Sequence, residues 1–226
     1  LAKESAKKRI LHSNIMVIGL GRFGTALALE LVRTGHEVLG IDTDEKIVQQ
    51  LSTQLTHTVV ADTTDEATLR ELGAADFDSA VVAIGADIES SILTASLLLQ
   101  LGVPKVWAKA NSTSHGIILK QLGCHHVIFP EAEMGKRVAH MVSGETLDYV
   151  SIDSDFVMVK TEVPPSFDGQ TLADLKIRST YGVTVVAVTK GDGKYVPAFP
   201  ETVLNEGNQI VVAGQVEPLN EFCKLV

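Results

Sequence analysis

The sequence predicts an α/β protein: a Rossmann-like doubly wound parallel sheet followed by a second, smaller α+β domain. Three observations predict it. Short apolar runs alternate with amphipathic helical stretches from residue 15 to about 130, the pattern of a parallel sheet with helices on both faces. The first run, Ile15-Met16-Val17-Ile18, leads into Gly19-Leu20-Gly21-Arg22-Phe23-Gly24, a glycine loop placed where strand gives way to helix. Beyond residue 155 the pattern changes to alternating strands, a hairpin turn and short helices.

Strands are expected at 15–18, 38–41, 58–61, 80–84, 106–108 and 127–129, the six that a full Rossmann sheet requires. Residues 25–34, 45–54, 66–72, 90–101 and 115–122 carry apolar side chains at helical spacing, with Gly35, Gly73, Gly102 and Gly123 at or just past the helix ends. A helix at 134–142, a turn at Ser143-Gly144 and a connecting strand at 147–153 follow. The second pattern comprises a strand at 156–163 broken by Pro164-Pro165, a short helix at 171–177 and a strand at 183–188. Then come a turn at Lys190-Gly191-Asp192-Gly193, a strand at 209–213 and a closing helix at 218–225. The expected domains are 13–143, nucleotide-binding, and 144–226, with the boundary region at 144–155.

Composition narrows the function. At 226 residues the chain buries about 70% of its unfolded surface and needs no helper to make a core. A formal net charge of −9, with no basic stripe, argues against a nucleic-acid partner. The basic cluster Lys3, Lys7, Lys8 and Arg9 reads as a solvated lead-in. Cys124 and Cys223 stand far apart without metal-ligand spacing, which points to a reducing, cytoplasmic compartment rather than to zinc or a disulfide framework. No apolar run approaches the roughly 20 residues that span a bilayer, and the N-terminal residues lack a signal-peptide core. Any membrane process would be served through a partner.

The chemistry centres on the glycine loop. Glycines there let backbone N–H groups at a helix N-terminus approach a phosphate with no Cβ in the way. Gly35 ends the helix, 37–41 forms the next strand, and Asp42 stands where a Rossmann unit places its ribose-binding acid. An adenine nucleotide or dinucleotide is the expected ligand; a turn that merely packs helix on strand is the weaker reading. Arg22 adds a fixed positive charge, suited to a polyphosphate at least as well as to a pyrophosphate. Strand C-termini supply further candidates: Asp62 and Thr63 after the third, Ile84, Gly85 and Asp87 after the fourth, Lys109 after the fifth. The binding set is thus Gly19, Gly21, Arg22, Phe23, Gly24, Asp42, Asp62, Thr63, Ile84, Gly85, Asp87 and Lys109. Lys109 reads equally well as a ribose or phosphate donor and as a solvent-facing strand end. Glu131, after the sixth strand, would favour a phosphate only through a divalent cation; otherwise it and Glu133 are first-turn carboxylates. His115, His125 and His126 fit structural roles, and no catalytic triad, paired carboxylates or proton donor in the second lobe is visible. An NAD-dependent oxidoreductase or redox sensor is the alternative.

Several motifs together resemble the regulator-of-potassium-conductance (RCK, or KTN) family, most nearly the gating subunits of bacterial Ktr and Trk potassium uptake systems. They are the segments 17–24, 35–42, Val82-Ala83-Ile84-Gly85-Ala86-Asp87, Val106-Trp107-Ala108-Lys109-Ala110 and Pro130-Glu131-Ala132-Glu133-Met134-Gly135. In the second lobe they are Leu172-Ala173-Asp174-Leu175 with Arg178 and Gly182, and the segment 207–214. The end of the second strand, Gly40-Ile41-Asp42, departs from the family's frequent Ala-Val-Asp without chemical consequence.

The resemblance implies that Rossmann lobes pair and that four pairs build an octameric ring beneath a potassium-translocating membrane subunit. The chain would then be cytoplasmic, peripheral on the inner face of the membrane, and would not turn over a substrate. ATP, ADP or NAD(H) in the cleft would bias the ring, with Arg22 on terminal phosphates, Asp42 on ribose and Glu131 on a divalent cation, Mg or Ca. Cyclic di-AMP would sit between two second lobes, Arg178 pairing with phosphate and Leu172, Leu175 and Ile177 covering the bases. The same lobes also occur fused to channels or doubled, and a start at Leu1 is compatible with a cut from a longer chain.

Overall fold

The computed structural model describes residues 12–143 and 146–226. The basic cluster Lys3, Lys7, Lys8 and Arg9, and Gly144 of the expected turn, lie outside the described residues. The chain forms two compact units, one ending at Pro130 and one beginning at Glu131.

The first unit runs β1 (Asn14–Ile18), α1 (Arg22–Arg33), β2 (Glu37–Asp42), α2 (Glu45–Leu51), β3 (His57–Val60), α3 (Glu66–Glu71), β4 (Ser79–Val82), α4 (Ile88–Gln100), β5 (Val106–Lys109), α5 (Thr113–Leu122) and β6 (His126–Ile128). Its six strands are parallel in the order β3-β2-β1-β4-β5-β6. β1 is central, and its residues run apolar without alternation because both faces of a wound parallel sheet are covered. Met16 and Ile18 pack on one face with Leu39, Ile41, Leu98 and Leu119. Ile15 and Val17 pack on the other with Val38, Val48 and Leu51. Strand order reverses between β1 and β4, which opens a crevice at their C-terminal ends.

The second unit carries α6 (Pro130–Val142), β7 (Asp148–Ser151), β8 (Phe156–Glu162), α7 (Leu172–Leu175), α8 (Ile177–Tyr181), β9 (Thr184–Thr189), β10 (Tyr195–Pro197), β11 (Gln209–Gln215) and α9 (Val216–Cys223). Its sheet is antiparallel in the order β10-β9-β11-β8-β7. Val157, Val159 and Thr161 of β8 turn inward, the period-two signature of a sheet covered on one face. α9 closes that face with Leu219 and Phe222, fully buried; Phe222 meets the Tyr181 ring edge-on at 5.5 Å. The single helix expected at 171–177 is two, because Lys176 adopts a left-handed conformation (φ 48°) between them.

Helix α6 begins at Pro130 rather than at 134, the proline taking a first-turn place where its missing N–H costs nothing. The sequence reading assigns this helix to the first domain; its contacts tie it to the second unit. Arg137 donates through Nε and Nη2 to the two Asp148 carboxylate oxygens at 2.7 and 2.8 Å, and the His140 ring stacks on Tyr149 at 3.9 Å. Among the described residues no helix is long and apolar enough to cross a membrane.

Candidate nucleotide site

The glycine loop is built from backbone constraints. Gly19 sits at φ +89°, and a Cβ there would lie 3.0 Å from the backbone of Ala83 and Ile84. Its N–H donates to the Ile41 carbonyl at 2.8 Å, pinning the loop to β2. A Cβ on Gly24 would fall 1.8 Å from the Gly19 carbonyl oxygen, so helix and loop meet only because both residues are glycine. Thr25 ties the loop's other side, donating its N–H to the Gly21 carbonyl at 2.8 Å and its hydroxyl to the Leu20 carbonyl at 2.6 Å.

Helix α1 therefore starts at Arg22, inside the loop rather than at 25. It starts differently from its neighbours. Asp44, Asp65, Asp87 and Ser112 cap α2, α3, α4 and α5 with their side chains, whereas α1 has Gly21 at its cap, no side-chain cap bond and no acidic residue in its first turn. The first N–H groups of a helix need an acceptor, and the partial positive charge there favours an anion. The space over Gly21 is open to within 4 Å of where its Cβ would be, and Arg22 is exposed at the first position of the helix.

Two side chains frame this end. Asp42, at the end of β2, accepts the Leu20 N–H on Oδ2 at 2.6 Å and the Asp44 N–H on Oδ1 at 2.9 Å. The carboxylate thus braces the loop, and each oxygen keeps a lone pair for a ribose hydroxyl. Lys109, at the end of β5, is buried; its Nζ lies 5.8 Å from the centroid of the Phe23 ring in the first turn of α1. A Cβ on Gly85 would stand 3.1 Å from that Nζ, and the Asn111 side-chain amide donates to the Gly85 carbonyl. Lys109 is therefore not a solvent-facing strand end. The crevice has an acidic side at β2 and a cationic side at Arg22 and Lys109.

Gly19, Gly21, Arg22, Phe23, Gly24, Asp42, Gly85 and Lys109 come together here, with Ile84 at the loop's back. Other candidates are committed elsewhere. Thr63 is buried, its hydroxyl 2.9 Å from that of Thr94. Asp62 accepts the N–H and hydroxyl of Thr64 at 2.9 and 2.7 Å. Asp87 caps α4, and the Ser90 hydroxyl and N–H hold its carboxyl below the usual range. Glu131 is exposed in the first turn of α6, in the second unit. Among the described residues no group of three or more His, Cys, Asp or Glu could hold a metal ion. Thr25 and Asn111 are the site residues absent from the sequence-based set: one acts through the helix start, the other across two strands.

In the second unit Arg178 Nε donates to the Thr184 hydroxyl at 3.2 Å. Ile177 is buried in the core, with Leu172 and Leu175 packed against it, so the fold itself occupies much of the apolar cover expected for bases. A separate cavity of about 630 Å³, lined by Val188, Lys190, Val196, Phe199, Val203 and Asn208 among others, lies in the same unit.

Family profiles match both parts of the chain: the TrkA-N domain matches residues 15–130, ending where the first unit ends, and the TrkA-C domain matches residues 156–226, within the second unit. The chain belongs to the TrkA-N/TrkA-C family. Ktr system potassium uptake protein C of Bacillus subtilis is 37% identical over 217 residues, covering 96% of this chain and 98% of the relative. Ktr system potassium uptake protein A of Vibrio alginolyticus is 36% identical over 204 residues, covering 90% and 93%. The GsuK RCK domain superposes at a TM-score of 0.67 and 19% identity, over 100% of this chain and 49% of that one. A GsuK channel bound to NAD superposes at 0.66 and 18%, over 97% and 39%. This chain thus spans half or less of those solved chains, and they establish the fold. The expected kinship of this TrkA-N/TrkA-C chain with Ktr potassium uptake proteins stands.

Proposed function

We propose that this chain is the nucleotide-sensing regulatory subunit of a Ktr-type potassium uptake system and gates a potassium-translocating membrane partner without turning over a substrate. One observation carries the reading: a chain matched over nearly its full length by Ktr proteins keeps an uncapped α1 start facing Asp42 and Lys109. The adenine ribose sits at Asp42, the phosphates at the first turn of α1 between Arg22 and Lys109. ATP, ADP and NAD(H) all fit that order of groups. Binding energy becomes gating only if ligands favour two subunit arrangements unequally; reversing a 1:99 population takes about 10⁴-fold differential affinity. Arg22 and, across the pairing of Rossmann lobes, a Glu131 of the paired copy are the groups that tell ATP from ADP, the glutamate through a divalent cation shared with the outermost phosphate.

The working assembly is a homo-oligomer, Rossmann lobes pairing into an octameric ring on the cytoplasmic face of the membrane, with cyclic di-AMP at the second lobes as a further input. The test is potassium flux into vesicles carrying the membrane partner, with this subunit added back under ATP, ADP or NADH. Flux should depend on which nucleotide is bound. Flux indifferent to nucleotide identity, with each shown bound by equilibrium dialysis, defeats the reading. Steady oxidation of NADH by the subunit alone favours an oxidoreductase.

A further inference from the structure

His115 is one of two buried side chains in the described residues with an unpartnered polar atom. It is 2% exposed in the first turn of α5, and its Nε2 has no hydrogen-bond partner. Its Nδ1 accepts the Asn111 N–H at 3.4 Å. A ring nitrogen that accepts carries no proton, so the neutral ring bears its hydrogen on Nε2. Buried polar atoms left unpaired are rare and call for a reason. The ring's other nitrogen is tied to the crevice four residues back: Asn111, whose N–H it holds, donates its side-chain amide to the Gly85 carbonyl, and Gly85 sits against the Lys109 ammonium beside Phe23.

We propose that His115 is a positioning residue of the nucleotide site, and that its neutral imidazole, by fixing Asn111, sets the Gly85 and Lys109 side of the crevice and links nucleotide affinity to pH. The proposal rests on the nucleotide-binding reading above. Protonation would turn Nδ1 into a donor aimed at the Asn111 N–H and would place a charge in the core. Among the described residues no opposite charge compensates it. α4, packed on α5, brings Ser91, the other buried side chain with an unpartnered polar atom, while its acidic residue Glu89 is exposed. On β6, His126 is stacked on Trp107 at 3.8 Å, and Lys120 of α5 itself is exposed. Burial accordingly pushes the pKa of His115 down. The sign follows: the ring is neutral and affinity full above the ordinary imidazole value near pH 6.5, and both are lost as pH falls through the lowered pKa.

The probe is NAD, whose pyrophosphate does not titrate in the imidazole range of about pH 5 to 8. Affinity is measured by calorimetry from pH 8 down through the lowered pKa of His115, as far as each protein stays folded, for the wild type, His115→Asn and His115→Phe. Losing one neutral hydrogen bond predicts that wild-type affinity drops about two- to tenfold on the acid side. Asparagine offers an acceptor oxygen that does not titrate, so His115→Asn should bind as the wild type does at pH 8 and keep that affinity in acid. His115→Phe should bind at pH 8 as weakly as the wild type does in acid; if it does not fold, the other two proteins decide. A His115→Asn profile that falls in parallel with the wild type overturns the proposal. A second readout needs no ligand: the ¹⁵N–¹H resonance of Asn111 should titrate in the wild type and not in His115→Asn. If NAD fails to bind at every pH the dinucleotide reading and the affinity link fall together. If NAD binds and the Asn111 resonance is flat, only the role of His115 falls.

Discussion

Gly21 and Gly24 lie three residues apart in one loop, and their replacement by alanine should have opposite consequences. At Gly24 a new Cβ would lie 1.8 Å from the Gly19 carbonyl oxygen, where real Cβ contacts stay beyond 3.0 Å. The obstacle is backbone, pinned by the Gly19 N–H bond to Ile41, so helix and loop must part by more than about 1 Å. Overpacking against a rigid neighbour costs about 1–3 kcal/mol, enough to lower the melting temperature of a domain this size by about 3–15 °C. At Gly21 a Cβ meets nothing within 4 Å, and the backbone (φ −63°, ψ −171°) suits any residue. Its alanine variant should keep the wild-type stability to within about 0.5 kcal/mol, a less flexible unfolded chain offsetting a poorer cap. It would nonetheless place a methyl where the phosphate approaches. Thermal unfolding followed by circular dichroism and calorimetric titration with ADP separate the two effects: Gly24→Ala loses stability and affinity, Gly21→Ala affinity alone. A Gly24→Ala protein with unchanged melting temperature would refute the close approach of helix and loop, and a Gly21→Ala protein with unchanged ADP affinity would refute the placement of the phosphate over this loop.

Arg22→Ala should weaken ATP binding by about tenfold to a hundredfold, the worth of a charged hydrogen bond to phosphate; calorimetry showing unchanged affinity removes Arg22 from the site. Added Mg²⁺ should strengthen ATP binding more than ADP binding, and Glu131→Gln should abolish that difference; equal responses in both proteins would leave Glu131 a helix-start carboxylate. Asp148 is held below the usual carboxylate range chiefly by the Arg137 hydrogen bonds, so it stabilises the second unit fully above about pH 4 and loses that contribution as pH falls through its lowered pKa. Acid unfolding of Asp148→Asn, followed by the ring resonances of Tyr149 and His140, should lack this limb; an acid limb identical to the wild type's would show that the pair is idle.

The parts of this molecule that repeat with a fixed period are legible in the sequence, and those that depend on contact across the sheet are not. All six strands of the first unit and the Asp42 position follow from apolar runs and a glycine loop, because both are local. Thr63 and Asp62 sit at a strand end as the topology requires, yet their partners Thr94 and Thr64 decide which way they face. Asn111 falls at the end of the fifth strand as the topology requires, but its bond to the Gly85 carbonyl of a different strand end has no signal in the spacing. The start of α6 misleads for a chemical reason: proline is a poor helix residue everywhere except the first turn, and Pro130 takes that place directly after β6. The break between α7 and α8 rests on a left-handed lysine, a conformation that sequence favours for asparagine or glycine instead.

Helix α6 and strand β7 also decide where this polypeptide can be cut. The TrkA-C match begins at residue 156, but β7, at 148–151, is the edge that pairs with β8 along its length. A fragment starting at 156 would strip that partner and leave β8 with a row of open backbone donors and acceptors, the template on which foreign strands assemble. A fragment starting at Glu131 retains the short edge strand and the helix that clamps it through Arg137 and His140. The first should gather into higher aggregates on a sizing column while the second runs as a single species, because the four-residue edge that β7 presents is a shorter template than the seven-residue β8 beneath it.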